Sequence, residues 1–308
     1  MVARDGAADA RSLSASPPGA EAVIEFESEA KGNVMATIAG RIFERAPRPD
    51  VLSGTPRAHA IDRWIYVFMA AWYILIVLVG FIPDSMMKVA LVKAGARAPF
   101  PLVLHMHAVV MGSFLLLLLG QTWLMATGRK GLHMQLGVLG AVLAVALVVV
   151  GFVLAPTMYY QVWGAATFGP PKVRAALAPV VPLLENILLL QISAGIMFGV
   201  FITIALRARG RDAGLHKRMM FLAVAVPLGA AISRMTWLPT TMPASPLSIN
   251  LFVLAAIAPM FVWDVIRNRR VHKAYWVWFP AFVIVTTAVN LAWDKPWWHA
   301  TAKAIMRV

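Results

Sequence analysis

Seven apolar stretches, each about 20 residues long, constrain this chain more than any other feature. They lie near Trp64–Ile82, Leu102–Met125, Met134–Val153, Leu184–Leu206, Met219–Trp237, Leu247–Ile266 and Tyr275–Trp293, and Pro227 interrupts the fifth. A hydrocarbon core of about 30 Å is crossed by a helix of about 20 apolar residues. The expected fold class is an all-α integral membrane protein with seven transmembrane helices (residues 61–308) behind a polar tail (residues 1–60). Residues 64–308 carry 20 Lys and Arg against only 5 Asp and Glu, whereas residues 1–63 carry 8 against 9. Basic residues set between apolar runs exclude an ordinary nucleic-acid binder, so the expected partner is the lipid bilayer and no nucleic acid. The chain has no cysteine, which excludes disulfides, iron–sulfur clusters and thiolate metal sites.

The loops after the second, fourth and sixth spans are the basic ones: Arg129 and Lys130; Arg207, Arg209, Arg211, Lys217 and Arg218; Arg267, Arg269, Arg270 and Lys273. The positive-inside rule puts these loops and the N-terminus in the cytoplasm and the C-terminus outside. A multi-pass protein of a bacterial inner membrane is expected. No apolar region with a small-residue cleavage site precedes the first span, so no removable signal peptide is expected. The tail is rich in Ala, Ser, Pro and Glu and reads as mostly disordered. Alternatively, Val34, Ile38, Ile42 and Phe43 form one face of a short interfacial helix, with Arg41 and Arg45 toward headgroups. The outer segment Ala155–Pro182, with Tyr159, Tyr160 and Trp163, reads as an interfacial belt, and Trp293, Trp297 and Trp298 read as a second anchor.

The most specific pattern is internal. The turn Gly128-Arg-Lys-Gly-Leu-His-Met-Gln-Leu136 is echoed by Arg211-Asp-Ala-Gly-Leu-His-Lys-Arg-Met219. Both place Gly-Leu-His at the cytoplasmic start of an outward-running helix. Spans two and three then form one hairpin and spans four and five a second copy, which brings His133 and His216 to one depth. His133 shares a stripe with Gly137, Gly140, Ala144 and Gly151, and His216 one with Met220, Ala223, Pro227 and Arg234. Small faces serve either close helix packing or a slot for a flat cofactor. Two imidazoles at matched depth suit axial ligation of a haem. Equally, a histidine at a helix start is comfortable at the headgroup boundary.

At the outer end of the second span, His107 lies within about 40° of Gln121 around the helix and His105 about 160° away. An amide facing lipid is unsatisfied, so Gln121 points inward and His107 is the better candidate. Glu185, Asn186, Arg234 and Asn250 gather at the same outer depth. A lone carboxylate in an apolar run usually pairs, and Arg234 is the expected partner of Glu185. That pair is read either as a structural lock between spans four and five or, with His107, as a site for a quinol or small reductant. Asp264 is expected to pair with a basic neighbour or His272.

The pattern His107, Gln121, Arg129, Leu132-His133 and Leu136-Gly137 resembles a group of functionally uncharacterised bacterial integral-membrane proteins. It is more distantly similar to the ascorbate-linked transmembrane b-type cytochromes. That resemblance implies haem ligation by histidines on alternate helices, with His133 and His216 as one pair and His107 as an outer ligand. The outer partner is missing, because Leu184–Leu206 contains no histidine. The leading expectation is a membrane redox protein that binds haem b between spans three and five through His133 and His216. Glu185, Arg234 and Gln121 then serve exchange with a quinol or small reductant. The alternatives are a cofactor-free transporter or small-molecule sensor, and an accessory subunit of a membrane complex.

Overall fold

The computed structural model describes residues 50–308, so the tail's candidate interfacial face at Val34–Arg45 lies outside the described residues. These residues form ten α-helices: α1 Ala60–Lys93, α2 Leu102–Ala126, α3 Lys130–Phe168, α4 Pro171–Leu177, α5 Val181–Ala208, α6 Ala213–Ala225, α7 Leu228–Ile232, α8 Leu247–Asn268, α9 Lys273–Ala292 and α10 Pro296–Met306. Seven segments are long and apolar enough to cross a membrane, with α4–α5 and α6–α7 counting as one span each. The expected all-α polytopic fold is the one observed.

The span broken by proline is the centre of the bundle. Pro227 has no N–H to donate, so α6 stops at Ala225 and α7 restarts at Leu228. Met219, Phe221, Leu222, Ala223 and Ala225 of α6 are fully buried, against Tyr66, Met69 and Tyr73 of α1, Phe201 and Ala205 of α5, Ile257 and Met260 of α8, and Tyr275 and Trp278 of α9. Gly80 lets α1 lie on α7, since a Cβ there would meet the Ala231 carbonyl carbon at 2.7 Å. By contrast, Val138, Val142, Val145 and Val149 of α3 stand exposed in a row. Such an apolar stripe belongs in lipid.

Both basic turns are built alike. α2 and α5 each run one residue past their last helical position into a glycine of positive φ, Gly128 at 81° and Gly210 at 84°. Only glycine takes that conformation without a Cβ clash. Asp212 then caps α6 by accepting from the Leu215 N–H at 2.9 Å.

Two outer features differ from expectation. Residues 155–168 are the continuation of α3, which at 39 residues is about 58 Å long and outruns the bilayer. Pro156 does not end it, and α4 follows directly in place of an interfacial loop. Trp293 and Trp298 are buried rather than set in a headgroup belt, and their indole N–H groups donate to the carbonyls of Pro243 (2.8 Å) and Glu185 (3.0 Å).

Candidate functional site

At the basic end, the repeated histidines make the same bond in each hairpin. His216 Nδ1 donates to the Ala205 carbonyl of α5 at 2.8 Å, and His133 Nδ1 to the Gln121 carbonyl of α2 at 3.3 Å. In His216 the proton is thereby fixed on Nδ1 and Nε2 is left with its lone pair, whereas His133 Nδ1 also faces the Gln121 amide nitrogen, which competes with the carbonyl for it. Gln121 holds its partner a second time. Its amide nitrogen donates to the His133 carbonyl at 3.0 Å and its amide oxygen accepts from the Gly137 N–H at 3.1 Å, within one turn of α3. The two imidazoles lie within electrostatic reach of each other, and the Arg209 guanidinium lies within reach of both.

The donor chemistry suits axial ligation, because metal-binding imidazoles commonly give their second nitrogen to a carbonyl. The space around it does not suit a porphyrin. Arg209 lies over Gly137, where a Cβ would meet its guanidinium at 3.1 Å, and donates to the Met134 carbonyl at 2.5 Å. Further along the stripe, Leu117 covers Gly140, Ala144 is buried, and His107 covers Gly151 at 3.9 Å. The small face of α3 therefore serves helix packing. Two cavities of about 410 and 540 Å³ are present, and neither is lined by His133 or His216. As packed, these residues do not fit a haem.

Beside the histidines lies an ion-pair lock. Fully buried Arg218 of α6 bonds Asp264 of α8 through Nε and NH2, and Asp50 through NH1 (2.8 Å) and NH2 (2.9 Å). Lys217 also reaches Asp50, at 2.5 Å. Burial alone would raise the Asp50 carboxyl, but hydrogen bonds from Arg218 and the charges of Lys217 and Arg218 hold it well below the carboxylate range. Residues 50–59 lie against this end of the bundle, with Leu52 fully buried and the Val51 N–H bonded to Asn268. His272 caps α9 by accepting from the Ala274 N–H at 3.1 Å. Burial, together with the charge of Arg218, pulls its pKa down to about 4. Asp264 thus pairs with a basic neighbour, Arg218, rather than with His272.

At the opposite end, the expected Glu185–Arg234 pair does not form. Arg234 reaches Asp84 of α1 at 3.2 Å and lies over Phe81; Asp84 also takes Lys88 at 2.6 Å. Burial lowers the Arg234 pKa, against the pull of Asp84. Glu185 instead accepts from His299 of α10, whose Nδ1 is 2.6 Å from Oε2. His299 Nε2 lies 3.1 Å from Asp294, and the Tyr159 hydroxyl approaches Glu185 Oε1 at 3.4 Å. Arg234 reaches Asp84 through Nε, whereas Glu185 is held by His299 of α10 and Tyr159 of α3, so the two do not meet. His107 belongs to neither centre: it faces Gly151, and its buried Nδ1 has no hydrogen-bond partner. Among the described residues no cluster of three His, Asp or Glu side chains is arranged to hold a metal ion.

His299 and Asp294 are the site residues that sequence reasoning missed. A signal was present: Trp298, Ala302 and Met306 recur every four residues and mark a helix with one buried face. The chain matches no family model, no curated protein and no solved structure.

Proposed function

We propose that this chain is a proton-linked transporter of a bacterial cytoplasmic membrane, taking up a proton from the outer face to drive movement of a small polar solute. The observation that carries this reading is the Glu185–His299–Asp294 chain. Glu185 is 1% exposed and Asp294 73% exposed, and one imidazole joins them. An imidazole moves a proton without moving itself, giving one from Nδ1 to Glu185 while accepting another at Nε2 from the side of Asp294. Ionisable groups embedded in a membrane protein commonly mark such proton relays.

The same carboxylate anchors α10. His299 bonds the Glu185 carboxylate, the Trp298 indole donates to the Glu185 backbone carbonyl, and the Asp294 N–H donates to Asn186 at 3.1 Å. Neutralising Glu185 removes the charged partner of His299 and weakens the hold of α10 on α5. That supplies a two-state element for protonation to bias. The test is full-length protein in liposomes with a trapped pH dye and an imposed potential. Proton flux is expected, abolished by Glu185→Gln and slowed by Asp294→Asn. A Glu185→Gln variant as fast as the parent would overturn the reading.

A second reading, a haem-b redox protein exchanging electrons with a quinol or small reductant, is favoured by one observation: His133 and His216 each set Nδ1 against a backbone carbonyl of the preceding helix. It requires Arg209 to leave the Gly137 face. A reduced-minus-oxidised spectrum of haem-replete membranes decides it.

A further inference from the structure

Arg207, Thr203, Gly199 and Gly195 follow one another at intervals of four along α5 and share a groove of about 410 Å³ with Val148 and Phe152 of α3. The groove spans 12 residues of helix, about 18 Å. One leaflet of a hydrocarbon core of about 30 Å is about 15 Å deep. The groove thus runs from the basic end of the bundle to near the middle of the membrane. Its wall is apolar throughout: even the Thr203 hydroxyl is turned back to the Gly199 carbonyl at 2.7 Å. Its one charged wall residue, Arg207, stands at the end where headgroups lie. Of the nearby cations, Arg209 is committed to Met134 and Arg218 to Asp264 and Asp50, and Arg211 does not line the groove. Arg207 is exposed and makes no ion pair among the described residues.

We infer that this groove is a binding site for one anionic phospholipid of the cytoplasmic leaflet, one of its two acyl chains along Gly199 and Phe152 and its phosphate on Arg207. Charge complementarity selects the headgroup, because a guanidinium takes two phosphate oxygens at once. The length of the apolar wall matches a single acyl chain. A Lys or Arg near an anionic membrane surface contributes about 1 kcal/mol, which is about a fivefold preference for an anionic over a zwitterionic lipid.

The space around the glycines tells which one to change. A Cβ at Gly195 would meet the Phe152 ring at 3.1 Å and strain the α3–α5 contact, whereas one at Gly199 meets Val148 at an ordinary 3.8 Å. Gly199→Leu therefore begins at ordinary contact distance and projects its side chain into the groove, and its lipid-free unfolding midpoint checks that the helices stay together. The experiment is thermal unfolding of the purified full chain in detergent with added dioleoyl-phosphatidylglycerol or dioleoyl-phosphatidylcholine, together with a native-mass count of retained lipid. Phosphatidylglycerol is expected to raise the midpoint more than phosphatidylcholine and to stay bound at one per chain. Arg207→Gln should erase the difference, Gly199→Leu should abolish retention of both, and Arg211→Gln, outside the groove, should change neither. Equal effects of the two lipids on the parent protein overturn the inference, as does an Arg207→Gln variant that keeps the preference. A Gly199→Leu variant that unfolds at the parental midpoint without lipid and still retains lipid also overturns it.

Discussion

Asp264→Asn strands a charge in the most enclosed part of the bundle. Arg218 and Asp264 are both fully buried, whereas Asp50 keeps a quarter of its side chain exposed. Removing one partner of a buried ion pair costs about 3–5 kcal/mol, because the remaining charge loses its compensation without regaining water. Asp50 still faces Arg218, which sets the expected loss at the lower bound, about 3 kcal/mol. At about 2–4 °C per kcal/mol for a chain of this size, the unfolding midpoint falls by about 6–12 °C. Tryptophan fluorescence in detergent follows the transition through 11 indoles. The control is the double variant Arg218→Met with Asp264→Leu. Replacing both members of such a pair by apolar side chains is neutral or stabilising, and Asp50 keeps Lys217 at 2.5 Å. The double variant is therefore expected to unfold within a few degrees of the parent. A double variant as unstable as Asp264→Asn would show that lost packing, not a stranded charge, sets the cost, and would refute the reasoning.

Three further perturbations follow from the geometry. His272 titrates at about 4 in the fold, against about 6.5 when free, so the unfolded chain binds more protons between those values. Stability is full above about pH 6.5 and falls as the pH drops toward about 4; His272→Asn, which keeps a cap acceptor, should flatten the profile, and an unchanged slope would count against it. Gly80→Ala drives a methyl into the Ala231 backbone and should cost about 1–3 kcal/mol, measured as the same fluorescence midpoint; a variant as stable as the parent would mean α1 and α7 are not held that close. His216→Phe leaves the Ala205 carbonyl unsatisfied, because the Arg209 N–H turns to Leu206 instead, and should cost about 1–3 kcal/mol. His133→Phe should cost less, given its longer bond of 3.3 Å, and the reverse order would contradict this account of the two turns.

The spans were legible because length and apolarity act locally, and so were the two hairpins, whose turns repeat the same residues. Charge pairing was not. Glu185 finds His299 from 114 residues away, and Arg234 finds Asp84 from 150. Position along a helix gives depth and facing, but not which neighbour stands opposite. The acids Asp50 and Asp84 were therefore passed over, although Asp50 compensates Arg218 and Asp84 takes the Arg234 that the sequence assigned to Glu185. The small stripe on α3 left two uses open in the sequence, and only the packing of Arg209, Leu117 and His107 against it bears on the choice.

The two ends of the bundle treat ionisable groups in opposite ways. At the basic end each buried charge is matched within the protein, Arg218 by two carboxylates and Asp62 by Arg267 and the Trp263 indole. A charge so compensated is fixed in place, because changing its protonation unbalances several bonds at once. At the other end Glu185 has no permanent cation. Its partner is a histidine, His299, whose other ring nitrogen faces the exposed Asp294. A site that must exchange protons needs such incomplete compensation, and a scaffold that must stay shut needs the opposite. Under the proposed proton-linked reading, the Glu185–His299–Asp294 end is therefore the one where substitutions should change flux, and the Arg218 end the one where they should change stability.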